Sequence, residues 1–343
     1  MNNWRTESSS IRATIRIFAV LITFWLTGCG GSTNPTPVAS ANSTPGGSSN
    51  SAFNGQPPAP PFSVNHKIPG FALGPFVLSG QNPNTGTVIP AAQLQYLISD
   101  GAQYAVWIRT FGTSDTLQQA GQYIHQAGAK AMIGAYLANP GTIAVAQTNQ
   151  QELDRLVTMA NVGQADIVTV GNETLLTGAL TESELLDYIA YVKAKVPASV
   201  QVSTVETWNV LVKHPNVIAA VDVVLANVYP FWENSPEISA LATLQSDYAQ
   251  IKQASGTKQL MITETGWPSS GSPSSQAPSA IPSQANQRAY FLGAEQWARQ
   301  NNIVMIWFEA YSEPWKANYN DYASWGIFDS TYVIESPLES AFQ

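Results

Sequence analysis

The chain has 343 residues, 44% of them hydrophobic and 11% charged, with a formal net charge of −8. That is length enough for one large domain or two ordinary ones. So acidic a protein, poor in Lys and Arg, is not built to neutralise phosphates, which excludes nucleic acid as its natural partner.

Arg5, Arg12 and Arg16 precede an apolar run, Ile17 to Trp25, that is too short to span a bilayer. A basic stretch before a short apolar one is the pattern of a secretion signal over residues 1–28. It ends in Leu26-Thr27-Gly28-Cys29, which resembles a bacterial lipobox whose Cys is lipid-modified. Cys29 is the one cysteine of the chain, which also excludes an internal disulfide and any Cys-based zinc site. The reading is an exported protein, lipid-anchored to a bacterial membrane. Gly30 in place of Asp resembles outer-membrane sorting. Residues 29–61 are Ser, Asn, Thr, Gly, Pro and Ala with few large apolar groups. Such a segment cannot offset its ordering entropy, and it is expected to be a flexible tether.

From residue 62 onward short apolar runs alternate with helical patterns. The expected strands are Phe71–Phe76, Tyr104–Thr110, Lys130–Tyr136, Ile167–Glu173, Val200–Val205, Val221–Asn227, Gln259–Glu264 and Ile303–Glu309. Continuous runs such as Ile167-Val168-Thr169-Val170 suit strands buried on both faces of a parallel sheet. Ser114 or Asp115 can cap a helix running to Gly128. Thr181-Glu182-Ser183-Glu184 fits a capping box, followed by Leu185, Ile189, Val192 and Val196 on one helix face. Eight such units in residues 62–343 predict an α/β protein, a (β/α)8 TIM barrel, with a doubly wound sheet as the alternative. Acidic and aromatic residues gather at the strand carboxyl ends, where barrel enzymes place their chemistry.

Two of those ends stand out. Ile167-Val168-Thr169-Val170-Gly171-Asn172-Glu173 and Leu260-Met261-Ile262-Thr263-Glu264-Thr265-Gly266-Trp267-Pro268 each deliver one carboxylate to a turn. Two carboxyl groups with unlike roles are what glycosidic bond cleavage requires: one protonated to donate to the leaving oxygen, one ionised to attack the anomeric carbon. Held near one another, the negative charge of one keeps the other protonated. The 10 Trp and 13 Tyr serve the core for the most part, and exposed aromatic faces grip sugar rings. His66, His125 and His214 lack metal-ligand spacing, and no HExxH, Walker or dinucleotide motif is present, so no cofactor or metal is indicated.

Val170-Gly171-Asn172-Glu173 and Ile262-Thr263-Glu264-Thr265-Gly266-Trp267-Pro268-Ser269 resemble the two active-site signatures of glycoside hydrolase family 17, the β-1,3-glucanase group. The resemblance continues in His214-Pro215-Asn216, Asn227 to Glu233, Phe308 to Lys316 and Trp325 to Asp329. It implies a (β/α)8 barrel and a retaining reaction on β-1,3-glucan polysaccharide or oligosaccharide, by hydrolysis or by glucanosyl transfer. A non-catalytic surface glucan-binding protein is the third reading. Carried over by position, Glu173 is the acid/base and Glu264 the nucleophile. Asn172 would hold the sugar 2-hydroxyl, and Tyr229 would reach the nucleophile. Glu309, Glu313 and Lys316 are further candidates in the cleft wall. Trp267 and Trp315 are candidate stacking platforms, with Trp208 and Trp232 further out. Glu206, after strand 5, either lines the cleft or makes a structural pair. The signature departs from the family in Thr265, where Ser or Val is frequent. The loop from Ser269 to Ser283, rich in Ser, Pro and Ala, either borders the cleft or is a loose connection. A monomer is expected.

Overall fold

Eight strands close into a single parallel ring in chain order, with β1 pairing both β2 and β8. The computed structural model describes residues 53, 55–319, 322–329, 331–334 and 336–343. The expectations for residues 1–52, including the secretion signal and Cys29, lie outside the described residues.

The strands are β1 (Ile68–Ala72), β2 (Ala105–Thr110), β3 (Lys130–Ala135), β4 (Ile167–Asn172), β5 (Gln201–Thr207), β6 (Val224–Asn227), β7 (Leu260–Thr265) and β8 (Met305–Trp307). The helices are α1 (Ala91–Tyr104), α2 (Ala120–Gln126), α3 (Ile143–Asn161), α4 (Glu182–Lys193), α5 (Trp208–Lys213), α6 (Pro215–Ala220), α7 (Glu237–Ser255) and α8 (Gln284–Gln300). The fold is thus the expected (β/α)8 barrel and not the open sheet.

Two apolar layers hold it. Met132, Ile167, Val205, Val223, Leu225 and Met261 fill one zone, packed with Trp107 and Val304. The opposite faces of the strands pack on the helices in one larger cluster that includes Ile108, Ile133, Val168, Val202 and Ile262. This two-sided burial is why the strands read as unbroken apolar runs. In α4 the capping box is formed, with Thr181 accepting from Glu184 N and the Glu184 carboxylate accepting from Thr181 N. Its apolar face buries Leu185, Ile189 and Val192, spaced three and four residues apart.

Several expected boundaries move; β6 begins at Val224 and not at Val221, and β5 runs on to Thr207. β1 runs over residues 68–72 and not 71–76, because Leu73 N makes the last bond, to Arg109 O at 2.8 Å, before Gly74-Pro75 ends the ladder. β8 stops at Trp307, and Phe308 N donates to Thr265 O at 2.8 Å. The helix expected from residue 114 to 128 is a 3-10 turn over Asp115–Gln119 followed by the short α2. The tether expected to reach residue 61 is also corrected at its end. Phe53 is 3% exposed, with ring centroids 5.4 Å from Tyr96 and 5.3 Å from Tyr332. An aromatic ring in that sequence has apolar surface to bury, and it finds α1.

The Ser269–Ser283 loop is packed. Ala277 and Ala280 are buried, and Ser279 N donates to Asn234 Oδ1 at 2.7 Å.

Candidate active site

Glu173 and Glu264 stand at the same end of the barrel, and a local irregularity delivers each. The β4–β5 register runs Thr169↔Ser203 and then Asn172↔Val205, so β4 carries one extra residue. The β6–β7 register runs Ala226↔Ile262 and then Asn227↔Glu264, so β7 carries one extra residue too. Such bulges re-aim a side chain where pairing ends. Gly171 at φ 77° lies inside the first, and Glu173 itself sits at φ 53°. Just past the second, Gly266 lets the backbone lie close against the segment after β8, since a Cβ there would lie 2.1 Å from Phe308 O. The Phe308–Glu309 peptide, just past β8, is cis.

The two carboxyls have unlike surroundings. Glu264 is 5% exposed and receives two donors: Arg109 Nη1 to Oε1 at 2.5 Å and Tyr229 Oη to Oε2 at 2.9 Å. Arg109 is itself buried and stacks its guanidinium 4.4 Å from the Phe111 ring centroid. A buried ion pair with an added hydrogen bond binds the carboxylate and fixes its orientation. Glu173 is half-buried and accepts from Asn227 Nδ2 at 2.8 Å. Burial of its carboxyl, and then the nearby Glu264 charge, push its pKa up to about 8. Burial and then the Glu264 charge also push the Tyr229 hydroxyl well up, so it stays a donor.

One network joins the pair. Arg109 Nη2 donates to Asn172 Oδ1 at 2.8 Å, and Asn227 Nδ2 reaches the same oxygen at 3.5 Å. Thr263 Oγ1 donates to Asn227 Oδ1 at 2.9 Å, which orients that amide toward Glu173. Strands β2, β4, β6 and β7 thus each contribute a polar side chain to one cluster. Chemically it offers an acid that retains its proton near neutral pH beside an oriented carboxylate.

The other sequence candidates fall into different places. Asn172 and Tyr229 belong to this network. Glu309, Glu313 and Lys316 form a separate buried group: Lys316 Nζ lies 2.5 Å from Glu309 Oε1 and 3.0 Å from Glu313 Oε2. Burial pushes Glu309 well up; burial opposes the Lys316 charge, but the two carboxylates outweigh it and raise that lysine. Glu313 Oε1 also accepts from Phe76 N at 3.1 Å. Lys316 is therefore committed to carboxylates rather than to sugar hydroxyls, and its ammonium sits 4.3 Å from the Phe308 ring centroid. Trp267 is no stacking platform. It is fully buried, 5.1 Å from Phe231 and 5.7 Å from Tyr290 between ring centroids, and its Nε1 donates to Ile281 O. Trp315 is half-buried. Trp208 Nε1 donates to Glu233 Oε1 at 2.7 Å, and Trp232 is exposed. Glu206 is buried and does not line the cleft; it accepts from Thr174, Leu175 and Leu176.

The sequence assigns no role to Arg109 or Phe111, and it marks Asn227 and Phe308 only as parts of the family resemblance. The signal for Arg109 was a charged residue inside the apolar run Ala105-Val106-Trp107-Ile108-Arg109-Thr110. Phe111 and Phe308 are half-buried rings 6.2 Å apart beside Arg109 and Lys316. Among the described residues no group of three or more His, Cys, Asp or Glu could hold a metal, and no helix is long and apolar enough to cross a membrane.

Comparison with known proteins bears on the family and the fold. The chain is 28% identical over 265 residues to the glucan 1,3-β-glucosidase BGL2 of Candida albicans, covering 68% of this chain and 82% of that one. It is 26% identical over 287 residues to a glucan 1,3-β-glucosidase of Saccharomyces cerevisiae, covering 77% and 90%. The glycoside hydrolase family 17 β-1,3-glucanosyltransferase of Rhizomucor miehei superposes with a TM-score of 0.67 at 25% identity, covering 79% of this chain and 96% of that one. An active-site mutant of that enzyme was solved with laminaritriose. A β-glucuronidase of Bacteroides uniformis, TM-score 0.60 at 14% identity, shares the fold alone. The model of the BtgE/BtgC glycoside hydrolase domain matches residues 70–326, and the chain belongs to that family.

Proposed function

We propose that the protein is a retaining glycoside hydrolase acting on β-1,3-glucan, with Glu264 as nucleophile and Glu173 as acid/base. The observation that carries this is the contrast between the two carboxyls: one bound by Arg109 and Tyr229, the other held protonated up to about pH 8 by burial and its neighbour's charge. In the first step Glu264 attacks the anomeric carbon while Glu173 gives its proton to the departing glycosidic oxygen. The products are a covalent glycosyl-enzyme and a shortened glucan. In the second step Glu173, now a carboxylate, takes a proton from water as that oxygen attacks the anomeric carbon, and Glu264 leaves. Asn172 would meet the 2-hydroxyl of the bound sugar, a role supported by its place in the network, where its Oδ1 accepts from Arg109. β-1,3-Glucan as substrate draws on the relatives, which are β-1,3-glucan-active by name.

The test is product stereochemistry and a pair of variants. Hydrolysis followed by proton NMR should release the β-anomer first. Glu264→Ala should abolish turnover with the fold intact, and Glu173→Ala should spare substrates with good leaving groups far more than natural glucan. Net inversion, or robust turnover by Glu264→Ala on unactivated glucan, would remove the assignment.

A second reading, glucanosyl transfer, is supported by the coverage of the Rhizomucor miehei glucanosyltransferase. It uses the same residues, with a sugar hydroxyl replacing water in the second step. Sizing the products from one laminari-oligosaccharide separates the two, because transfer makes chains longer than the input. We also propose that the protein is exported and anchored through Cys29 to a bacterial outer membrane, on the strength of the Leu26–Cys29 motif.

A further inference from the structure

Glu206, at the end of β5, is completely buried, yet no cation pairs with it among the described residues. Its partners are three consecutive residues of one turn. Oε1 accepts from Thr174 Oγ1 at 3.1 Å and Leu175 N at 2.7 Å, and Oε2 accepts from Leu176 N at 3.2 Å. That turn begins at Glu173. The residue before Glu206, Val205, accepts from Glu173 N through its carbonyl at 2.8 Å. The end of β5 therefore grips four successive residues, from Glu173 to Leu176.

The grip matters because the turn is costly. Glu173 has φ 53°, a left-handed conformation that a residue bearing a Cβ adopts at a cost of about 1–2 kcal/mol. Gly171 just before it has φ 77°, and a Cβ there would lie 2.7 Å from Thr174 Cγ2. The backbone folds back on itself at the point where the carboxyl must be aimed at Asn227. Released from Glu206, it can relax to a commoner conformation and carry Glu173 away.

We infer that Glu206 is a positioning residue for the acid/base step, clamping the turn that aims Glu173 at the glycosidic oxygen without touching substrate itself. The inference rests on the assignment of Glu173 as acid/base. It makes a specific kinetic demand: loss of the clamp must harm reactions that need protonation of the leaving group and spare those that do not.

The experiment compares laminaripentaose with a 2,4-dinitrophenyl β-laminaribioside for Glu173→Ala, Glu206→Ala, Glu206→Gln and Thr174→Val. Positioned acid catalysis is worth about 10²–10⁴-fold. Glu173→Ala should lose that much kcat/KM on laminaripentaose and under about tenfold on the aryl substrate. Glu206→Ala should lose about 10–100-fold on laminaripentaose and under about threefold on the aryl substrate, as a partial loss of the same effect. Glu206→Gln keeps one acceptor oxygen for Leu175 N and Thr174, and should restore part of the loss. Equal losses on both substrates, or none, overturn the inference while a split in Glu173→Ala leaves the acid/base assignment standing. If Glu173→Ala shows no split, both fall. Should Glu206→Ala fail to fold, Glu206→Gln and Thr174→Val decide: a smaller split in the same direction supports the clamp, and equal losses overturn it.

Discussion

Replacing Arg109 with Met probes the centre of the site, because Met fills most of the volume and removes the charge. The guanidinium is 1% exposed and lies 2.5 Å from a Glu264 carboxylate that is itself 5% exposed. Removing one partner of such a pair leaves an uncompensated buried charge, at about 3–5 kcal/mol. Asn172 Oδ1 loses its 2.8 Å donor as well, adding about 1 kcal/mol. The expected destabilisation at pH 7 is thus about 4–6 kcal/mol, read from urea unfolding followed by tryptophan fluorescence. Adding Glu264→Gln should recover much of the loss, with a coupling energy of about 2–3 kcal/mol in the double-mutant cycle. A cost below about 1 kcal/mol, the scale of an exposed pair, would refute the claim that Arg109 neutralises Glu264 in a dry site. Additivity with Glu264→Gln would do the same.

Other outcomes follow from the site and its surroundings. The kcat/KM for laminari-oligosaccharides should fall above about pH 8, where Glu173, raised by burial and by Glu264, loses the proton it must donate; a profile flat to pH 10 would contradict this. Asp100, 1% exposed and bonded by Tyr311 Oη at 2.8 Å, is pushed by burial to about 7 from an ordinary 3.8. Between those values the unfolded chain has lost a proton that the folded one keeps. Stability should therefore decline as pH rises, by up to about 1.4 kcal/mol per pH unit from this group. Asp100→Asn should flatten that slope in unfolding titrations from pH 4 to 7, and an unchanged slope would count against it. Cys29→Ser should move the protein from the membrane fraction to the soluble one, and continued membrane retention would reject the lipid anchor.

Much of the fold was legible in the sequence, in particular residues. The barrel was, because strands buried on both faces must be apolar throughout and the helix caps mark the joints: Ile167 to Val170 and Thr181 to Glu184 carry those signals locally. That both glutamates stand at strand carboxyl ends was also legible, since each follows an apolar run and precedes a turn. Membership of a glycoside hydrolase family rests on a match that spans residues 70–326 and so includes both stretches.

Trp267, Lys316 and Arg109 were decided elsewhere. Trp267 sits three residues from Glu264 and reads as a sugar platform, but the close approach of Gly266 to the Phe308 carbonyl helps turn that ring into the wall under α8. Lys316 meets Glu309 and Glu313 because the chain after β8 coils over itself in a 3-10 turn.

The sequence by itself determined which strands exist, their order and which of their ends carry acids, because those features depend on neighbours a few residues away. Only the tertiary structure showed which acid keeps a proton, through burial and a neighbouring charge, and which is bound by Arg109 and Tyr229. Arg109 and Glu264 are 155 positions apart along the chain, and Asn227 and Glu173 are 54 apart. Closing the ring brings them within hydrogen-bond reach. The protonation of a carboxyl depends on burial and on charges within a few ångströms in space, quantities that no local pattern of residues encodes.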